Sequence, residues 1–149
     1  MSADLPPDWP FRPLSDDAVA TAVLDMVVHP RHRVGGAVTV VLCDPDDRLV
    51  QPALTNEAAP GCATIDERAD LLGPVVAALA QMCGGERFGD RQGGLLMALS
   101  RGDGLSITPG DLAWQRALHV LADGRCRVLG VHLFTRHGSR RLPPLARAA

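Results

Sequence analysis

The sequence predicts a single three-layer α/β domain, a mixed β-sheet with helices on both faces. Residues 93–135 read as an apolar strand, a Gly-rich loop, a capped amphipathic helix, a tight turn and a second apolar strand, which is a βαβ unit. Both apolar runs lack the alternation of a one-sided sheet, so we expect the two strands to be covered on both faces. With a helix, a hairpin and a further helix before this unit, the predicted element order is α-β-β-α-β-α-β.

The chain is expected to begin with an extended, Pro-rich arm over residues 1–14, followed by a helix. Trp9 and Phe11 of the arm would pack on the domain. Ser15 is the predicted N-cap, since two acidic residues follow it and apolar residues then recur at helical spacing to about Val28. The segment HPRHRVGG is expected to end this helix.

A β-hairpin and a second helix are predicted next. AVTVVLCDPDDRLVQPAL has two apolar runs around a DPDD turn, and Pro52 places the second strand near a sheet edge or ends it. Residues 64–67 fit a capping box at the start of a helix that should reach Cys83.

The last predicted helix begins at Thr108, with Pro109 at its first position and Asp111 at its third. Gly124 closes it. Its sheet-facing residues are expected to be Trp114, Ala117, Leu118 and Leu121, with Gln115, Arg116 and His119 elsewhere. The domain would span residues 15–136, and residues 137–149 would form a basic, loosely ordered tail.

Composition narrows the class of protein. The net charge of −2 does not support nucleic-acid binding, and no apolar run is long enough to span a membrane, so a cytoplasmic protein is expected. All 15 basic residues are arginine, a bias typical of a bacterial GC-rich genome, and the absence of lysine excludes Schiff-base and Walker-type chemistry. The four cysteines show no C-x-x-C spacing and are expected to be buried thiols rather than zinc ligands.

Between Ala37 and Thr135 the predicted elements follow one another in a fixed order. They are the hairpin VVLCDPDDRLV, the helix ERADLLGPVVAALA, a strand, a loop, a helix start of the form TPxD and a second strand. This order resembles the JAB/MPN metalloprotease-like superfamily, within it the RadC-like branch. The family's metal site uses an H-x-H pair, then S-x-x-D, and a glutamate from elsewhere. The resemblance implies that Thr108 and Asp111 match the serine and aspartate.

The same register puts Ala98 and Ser100 at the two histidine positions, and Glu57 is a candidate for the glutamate. Neither alanine nor serine replaces an imidazole ligand, and a catalytic zinc needs about three protein ligands. The resemblance therefore implies a metal-free relative that acts through binding, with no cofactor. His29 and His32 are spaced as a metal pair could be, but their place at a helix end gives them a favourable interaction with the helix dipole without a metal.

One hypothesis is a non-catalytic binding or assembly module. SRGDGLS follows a strand and precedes a helix N-terminus, where ligands commonly sit in α/β sheets, so a protein partner or small anion would meet Ser100, Arg101, Asp103 and Ser106. The tail arginines would add to this surface. A homodimer would protect edge strands, although nothing in the sequence specifies it.

The alternative hypothesis is an enzyme. A hydrolase would use Ser100, Asp111 or Asp103, and His132 or His137. No G-x-S-x-G motif supports the serine as a nucleophile. A metal enzyme with ligands other than the family's, such as His29, His32 or a cysteine, is the other catalytic alternative.

Overall fold

The computed structural model describes residues 12–56, 73–74, 93–102, 104–123 and 126–144. In this part of the chain a mixed five-stranded sheet is packed by helices, which confirms the α/β class. The helices are α1 (Asp17–Val27), α2 (His32–Gly35) and α3 (Pro109–Ala122). The strands are β1 (Ala37–Cys43), β2 (Leu49–Asn56), β3 (Gly94–Ser100), β4 (Arg127–Thr135) and β5 (Gly138–Arg141).

The strand order in the sheet is β2-β1-β3-β4-β5. β3 and β4 are parallel and are joined through α3, so the predicted βαβ unit is confirmed, whereas the other described pairs are antiparallel. β3 is buried at every residue, as its unbroken apolar run predicted, and β1 is buried throughout as well. β4, for which the same was predicted, is buried from Val131 to Thr135 but only half-buried over its first four residues. β2, which carries Pro52, lies at one edge of the sheet, where a missing backbone N–H is tolerated.

Two hydrophobic clusters use alternating residues of the central strands. Trp114 and Leu118 of α3 pack in a cluster with Leu95, Met97 and Leu99 of β3. The cluster around α1 contains the intervening residues of β3 and part of β4; its members include Val23, Leu24, Leu96, Ala98 and Phe134. Because successive strand residues point to opposite faces, α3 and α1 cover different faces of β3.

The helix starts follow local side-chain chemistry, with one correction. Thr108 and Asp111 form the predicted capping box at the start of α3. At α1 the N-cap is Asp16, not Ser15, because the Asp16 carboxylate accepts hydrogen bonds from the backbone N–H groups of Ala18 at 2.9 Å and Val19 at 3.3 Å. A carboxylate at this position also interacts favourably with the helix dipole. The segment expected only to end α1 contains the short helix α2.

The structure differs from the sequence prediction at the tail. Residues 138–141, expected to be loosely ordered, form β5 against β4, and the next residue, Leu142, is buried. Gln115, expected away from the core, is buried because the chain after β5 passes over it, and its side-chain amide donates to the Pro143 carbonyl oxygen at 2.9 Å. Pairing with β4 and burial of Leu142 therefore order a segment whose own sequence is polar.

Other predictions fall outside the described residues. These are the packing of Trp9 and Phe11, the helix over residues 64–83 except for residues 73–74, which are helical, and the helix end at Gly124. Among the described helices, none has the length and apolar character required to cross a membrane. Cys43 and Cys126 are buried thiols, as expected for them.

Candidate functional site

The carboxyl ends of the parallel strands β3 and β4 lie side by side and are followed by two connections. After β3 comes the segment 101–108, which we call the Arg101 loop. After β4, residues 136–137 make the tight turn into β5. The Arg101 backbone N–H donates to the Phe134 carbonyl oxygen at 3.2 Å, and a Cβ built on Gly138 would lie 3.5 Å from a Leu105 methyl carbon. The two connections therefore form one continuous surface.

Arg101 is bound to its own loop and helix. Its Nη1 donates to both carboxylate oxygens of Asp111 at 2.9 Å, and its Nη2 donates to the Ser106 carbonyl oxygen at 2.6 Å and to that of Gly104 at 3.4 Å. The side chains of Arg101 and Asp111 are 17% and 7% exposed. The two terminal nitrogens of the guanidinium thus bind a carboxylate and loop carbonyls, whereas the buried Nε has no hydrogen-bond partner among the described residues.

Asp111 is also fully occupied. Its Oδ2 accepts from the Thr108 backbone N–H at 2.9 Å, while its own N–H donates to the Thr108 hydroxyl oxygen at 3.2 Å. The carboxylate thus joins the ion pair and the helix cap. A small anion that met this loop would therefore lie beside a guanidinium that already has an internal partner. Ser106 is exposed, and Asp103 lies outside the described residues.

The structure does not bring the predicted hydrolase residues together. Ser100 is opposite Phe134 on β4, whereas His132 is opposite Ala98, so Ser100 and His132 share a sheet face but are offset by two residues. Strand alternation turns Ser100 toward the α1 side, while Asp111 starts α3 on the other. The Ser100 hydroxyl is buried and has no hydrogen-bond partner among the described residues.

His132 is a buried histidine next to a charged pair. Its pKa is lowered to about 4, first by burial and then by the positive charge of Arg141, while the negative charge of Asp17 opposes the shift. Arg141 lies opposite His132 on β5 and is ion-paired with Asp17 of α1. Gly130 lies next to this cluster, since a Cβ built there would be in ordinary van der Waals contact with His132 Nε2 at 3.4 Å and Arg141 Nε at 3.5 Å.

A neutral imidazole in this position lacks the access that a general base needs, because only 2% of His132 is exposed. The other candidate, His137, lies on the exposed turn after β4. His119, expected away from the sheet-facing side of α3, is half-buried, and burial lowers its pKa.

No group of histidine, cysteine or acidic side chains in the described ranges is arranged to hold a metal ion. The His29 and His32 rings meet edge to face at 5.9 Å, and the His29 Nδ1 accepts from the Arg31 backbone N–H at 3.1 Å. Ala98 and Ser100 are both buried. Glu57 lies outside the described residues.

Sequence reasoning identified Arg101 and Asp111 separately but missed their pairing. The available signal was an arginine and a capping aspartate flanking one short loop, which favours a charge pair at a helix N-terminus. The cluster of Asp17, His132 and Arg141 had no local signal, because its members are distant in the sequence. Comparison of the chain with protein-family models, curated proteins and solved structures gives no match.

Proposed function

We propose that this chain is a non-catalytic binding module that recognises a protein partner through the exposed face of the Arg101 loop. The observation that carries the proposal is the two-oxygen ion pair between Arg101 and Asp111, together with the Arg101 hydrogen bond to the Ser106 carbonyl oxygen. These bonds fix the loop before any partner arrives. A loop that is already ordered loses less conformational entropy on binding.

The exposed residues of the loop supply the contact surface. Gly104, Ser106 and Thr108 face solvent, whereas Leu105 and Ile107 pack against the core cluster under α3. This alternation anchors the loop on the core and leaves its small polar residues exposed to solvent. Such a surface suits a protein contact made by backbone groups and a hydroxyl, and not a catalytic site.

We further propose a metal-free, cytoplasmic three-layer domain with the JAB/RadC-like order of elements, α-β-β-α-β-α-β, to which the short helix α2 and the strand β5 are additions. The Arg101 guanidinium is the counter-charge of the Asp111 carboxylate. This ion pair supports a structural role for Asp111 that needs no metal ion. Ala98 and Ser100 belong to the strand residues that face α1, away from Asp111. The resemblance is therefore proposed for the order of elements, and none of the family's ligand set is assigned to this chain.

The binding role is tested by placing a bulky side chain on the loop without disturbing the ion pair. Ser106→Trp should abolish recovery of the partner from cells expressing the chain, as quantified by mass spectrometry. Ser15→Trp is the matched control, because Ser15 is also an exposed serine but precedes α1. If both variants recover the same proteins as the wild type, the loop is not the binding surface.

The metal-free role has a separate test. Elemental analysis of untagged protein, before and after zinc is offered, should give no stoichiometric metal. A stoichiometric ion would contradict this part of the proposal and would favour an enzyme.

A further inference from the structure

The β4–β5 hairpin carries positive charge beside the Arg101 loop. Arg136 and His137 form its turn and Arg140 lies in β5; all three are exposed, and none forms an ion pair with a described acidic residue. By contrast, Arg141 is neutralised by Asp17. The last 26 residues of the chain hold six of its 15 arginines and none of its 17 acidic residues, so the charge is segregated rather than mixed.

The same hairpin presents backbone hydrogen-bonding groups. β5 is the last strand of the described sheet. The Leu142 N–H donates inward to the Val131 carbonyl oxygen at 2.9 Å. Because these groups alternate along an antiparallel strand, the N–H and C=O groups of Ser139 and Arg141 point away from β4. A strand edge of this kind is a template for adding another strand.

We propose that the edge of β5 binds an extended acidic peptide segment of the partner protein, which adds to the sheet as a further strand. Its carboxylates would lie against Arg136, His137 and Arg140. Arginines on an edge strand disfavour apolar and basic strands, and the same charges favour an acidic one. This inference rests on the proposed function, because the hydrogen bond from the Arg101 backbone N–H to the Phe134 carbonyl oxygen holds the start of the Arg101 loop beside the end of β4, where the hairpin turns.

A nucleic acid fits this surface less well than an acidic peptide. Binding to a phosphate backbone depends on several cationic contacts along its length, and the exposed arginines of this hairpin are Arg136 and Arg140 beside the paired Arg141. A four-residue strand with outward backbone groups matches an extended peptide instead.

The test is fluorescence anisotropy with the full chain and a labelled peptide of about ten residues that alternates glutamate with threonine or valine. Arg136→Glu with Arg140→Glu should weaken binding about tenfold or more, since two favourable charge contacts become repulsive. Arg48→Glu with Arg116→Glu is the matched control, because both arginines are exposed and the net charge changes equally. This control should stay within about twofold of wild type, as expected for charges distant from the contact.

A second probe tests the strand pairing without altering the protein. The same peptide with alternate backbone nitrogens methylated should lose binding, because it cannot donate to the edge of β5. The inference is overturned if the methylated peptide binds as well as the unmethylated one, or if the control double variant loses as much affinity as the hairpin double variant. It is also overturned if the unmethylated peptide does not bind the wild-type chain at about 1 mM. Tighter binding of a single-stranded oligonucleotide would also overturn it and would indicate a nucleic-acid surface.

Failure here is distinguishable from failure of the proposed function. If the hairpin double variant recovers the wild-type partners from cells while Ser106→Trp does not, the loop is the binding surface and the acidic strand is wrong. If neither variant changes the recovered proteins, both proposals fail.

Discussion

At the scale of single residues, Arg101 and Asp111 determine the state of the candidate site. Each group is largely buried, and each is the other's counter-charge. Asp111→Asn should lower the free energy of unfolding by about 3 kcal/mol, the lower end of the cost of breaking a buried pair, because the Arg101 guanidinium keeps some contact with water. Urea unfolding followed by tryptophan fluorescence measures this change.

A double-mutant cycle provides the control for that substitution. Combining Asp111→Asn with Arg101→Met removes both charges, so the double variant should be less destabilised than the sum of the two single changes. Additive losses would contradict the pairing and would show that each residue acts through separate contacts.

His132 makes stability depend on pH. Its folded pKa of about 4 lies below the ordinary value of 6.5, first because of burial and then because of Arg141. Between these values the unfolded chain binds more protons than the folded one, so stability falls as the pH decreases from 6.5 toward 4. The loss should total about 3 kcal/mol over this window.

The comparison that isolates His132 is with His132→Met, which has a side chain of similar size and no titration. The free energy of unfolding of the wild type minus that of the variant should fall by about 3 kcal/mol as the pH decreases from 6.5 toward 4, because only the wild type loses this contribution. Taking the difference also removes the titration of His119, whose pKa is lowered by burial. Parallel pH profiles would show that the His132 imidazole is not buried as a neutral group.

The residue-scale contacts were the least predictable from sequence. Asp17 and Arg141 are separated by 124 positions, and nothing in either local segment indicates that β5 brings them together. Arg101 and Asp111 are only ten positions apart, but the loop geometry that lets one guanidinium reach the carboxylate and the Ser106 carbonyl is a tertiary property.

At the scale of elements, local signals decided most of the outcome. The start of α3 was predictable because Thr108, Pro109 and Asp111 each favour a helix N-terminus for a separate chemical reason. β3 and β4 were predictable from apolar runs long enough for a strand. The segment of β5 has no such run, so pairing with β4 supplies what its own sequence lacks.

Trp114 tests the orientation of α3. It was predicted to face the sheet, and it is buried in the cluster with β3. Trp114→Ala should lower the free energy of unfolding by about 3 to 5 kcal/mol through lost burial and the cavity left behind. Val120→Ala, at a side chain that is 70% exposed, should change it by no more than about 0.5 kcal/mol. Calorimetry or urea titration measures both, and similar values for the two variants would place the wrong face of α3 on the sheet.

At the scale of the whole molecule, the segment after β4 completes the domain, which the sequence predicted to end at residue 136. It adds a strand, buries Leu142, covers Gln115 and supplies the partner of Asp17. These contacts reach α1 on one side and α3 on the other. Hydropathy could not reveal these contacts, because most of the segment is polar. Among its described residues, the one buried apolar side chain is that of Leu142, which follows two arginines.

A chain that ends at Arg136 tests this view of the domain. It should unfold at a lower urea concentration than the full chain, since loss of the buried Leu142 side chain alone costs about 2 kcal/mol or more. It should also self-associate in light scattering, because β4, which contains the apolar residues Leu133 and Phe134, becomes an edge strand. A chain ending at Pro144 keeps β5 and its contacts, and should match the full chain in both measurements. If the chain ending at Arg136 instead keeps the full midpoint and stays monomeric, β5 does not stabilise the sheet, and the domain ends where the apolar pattern ends.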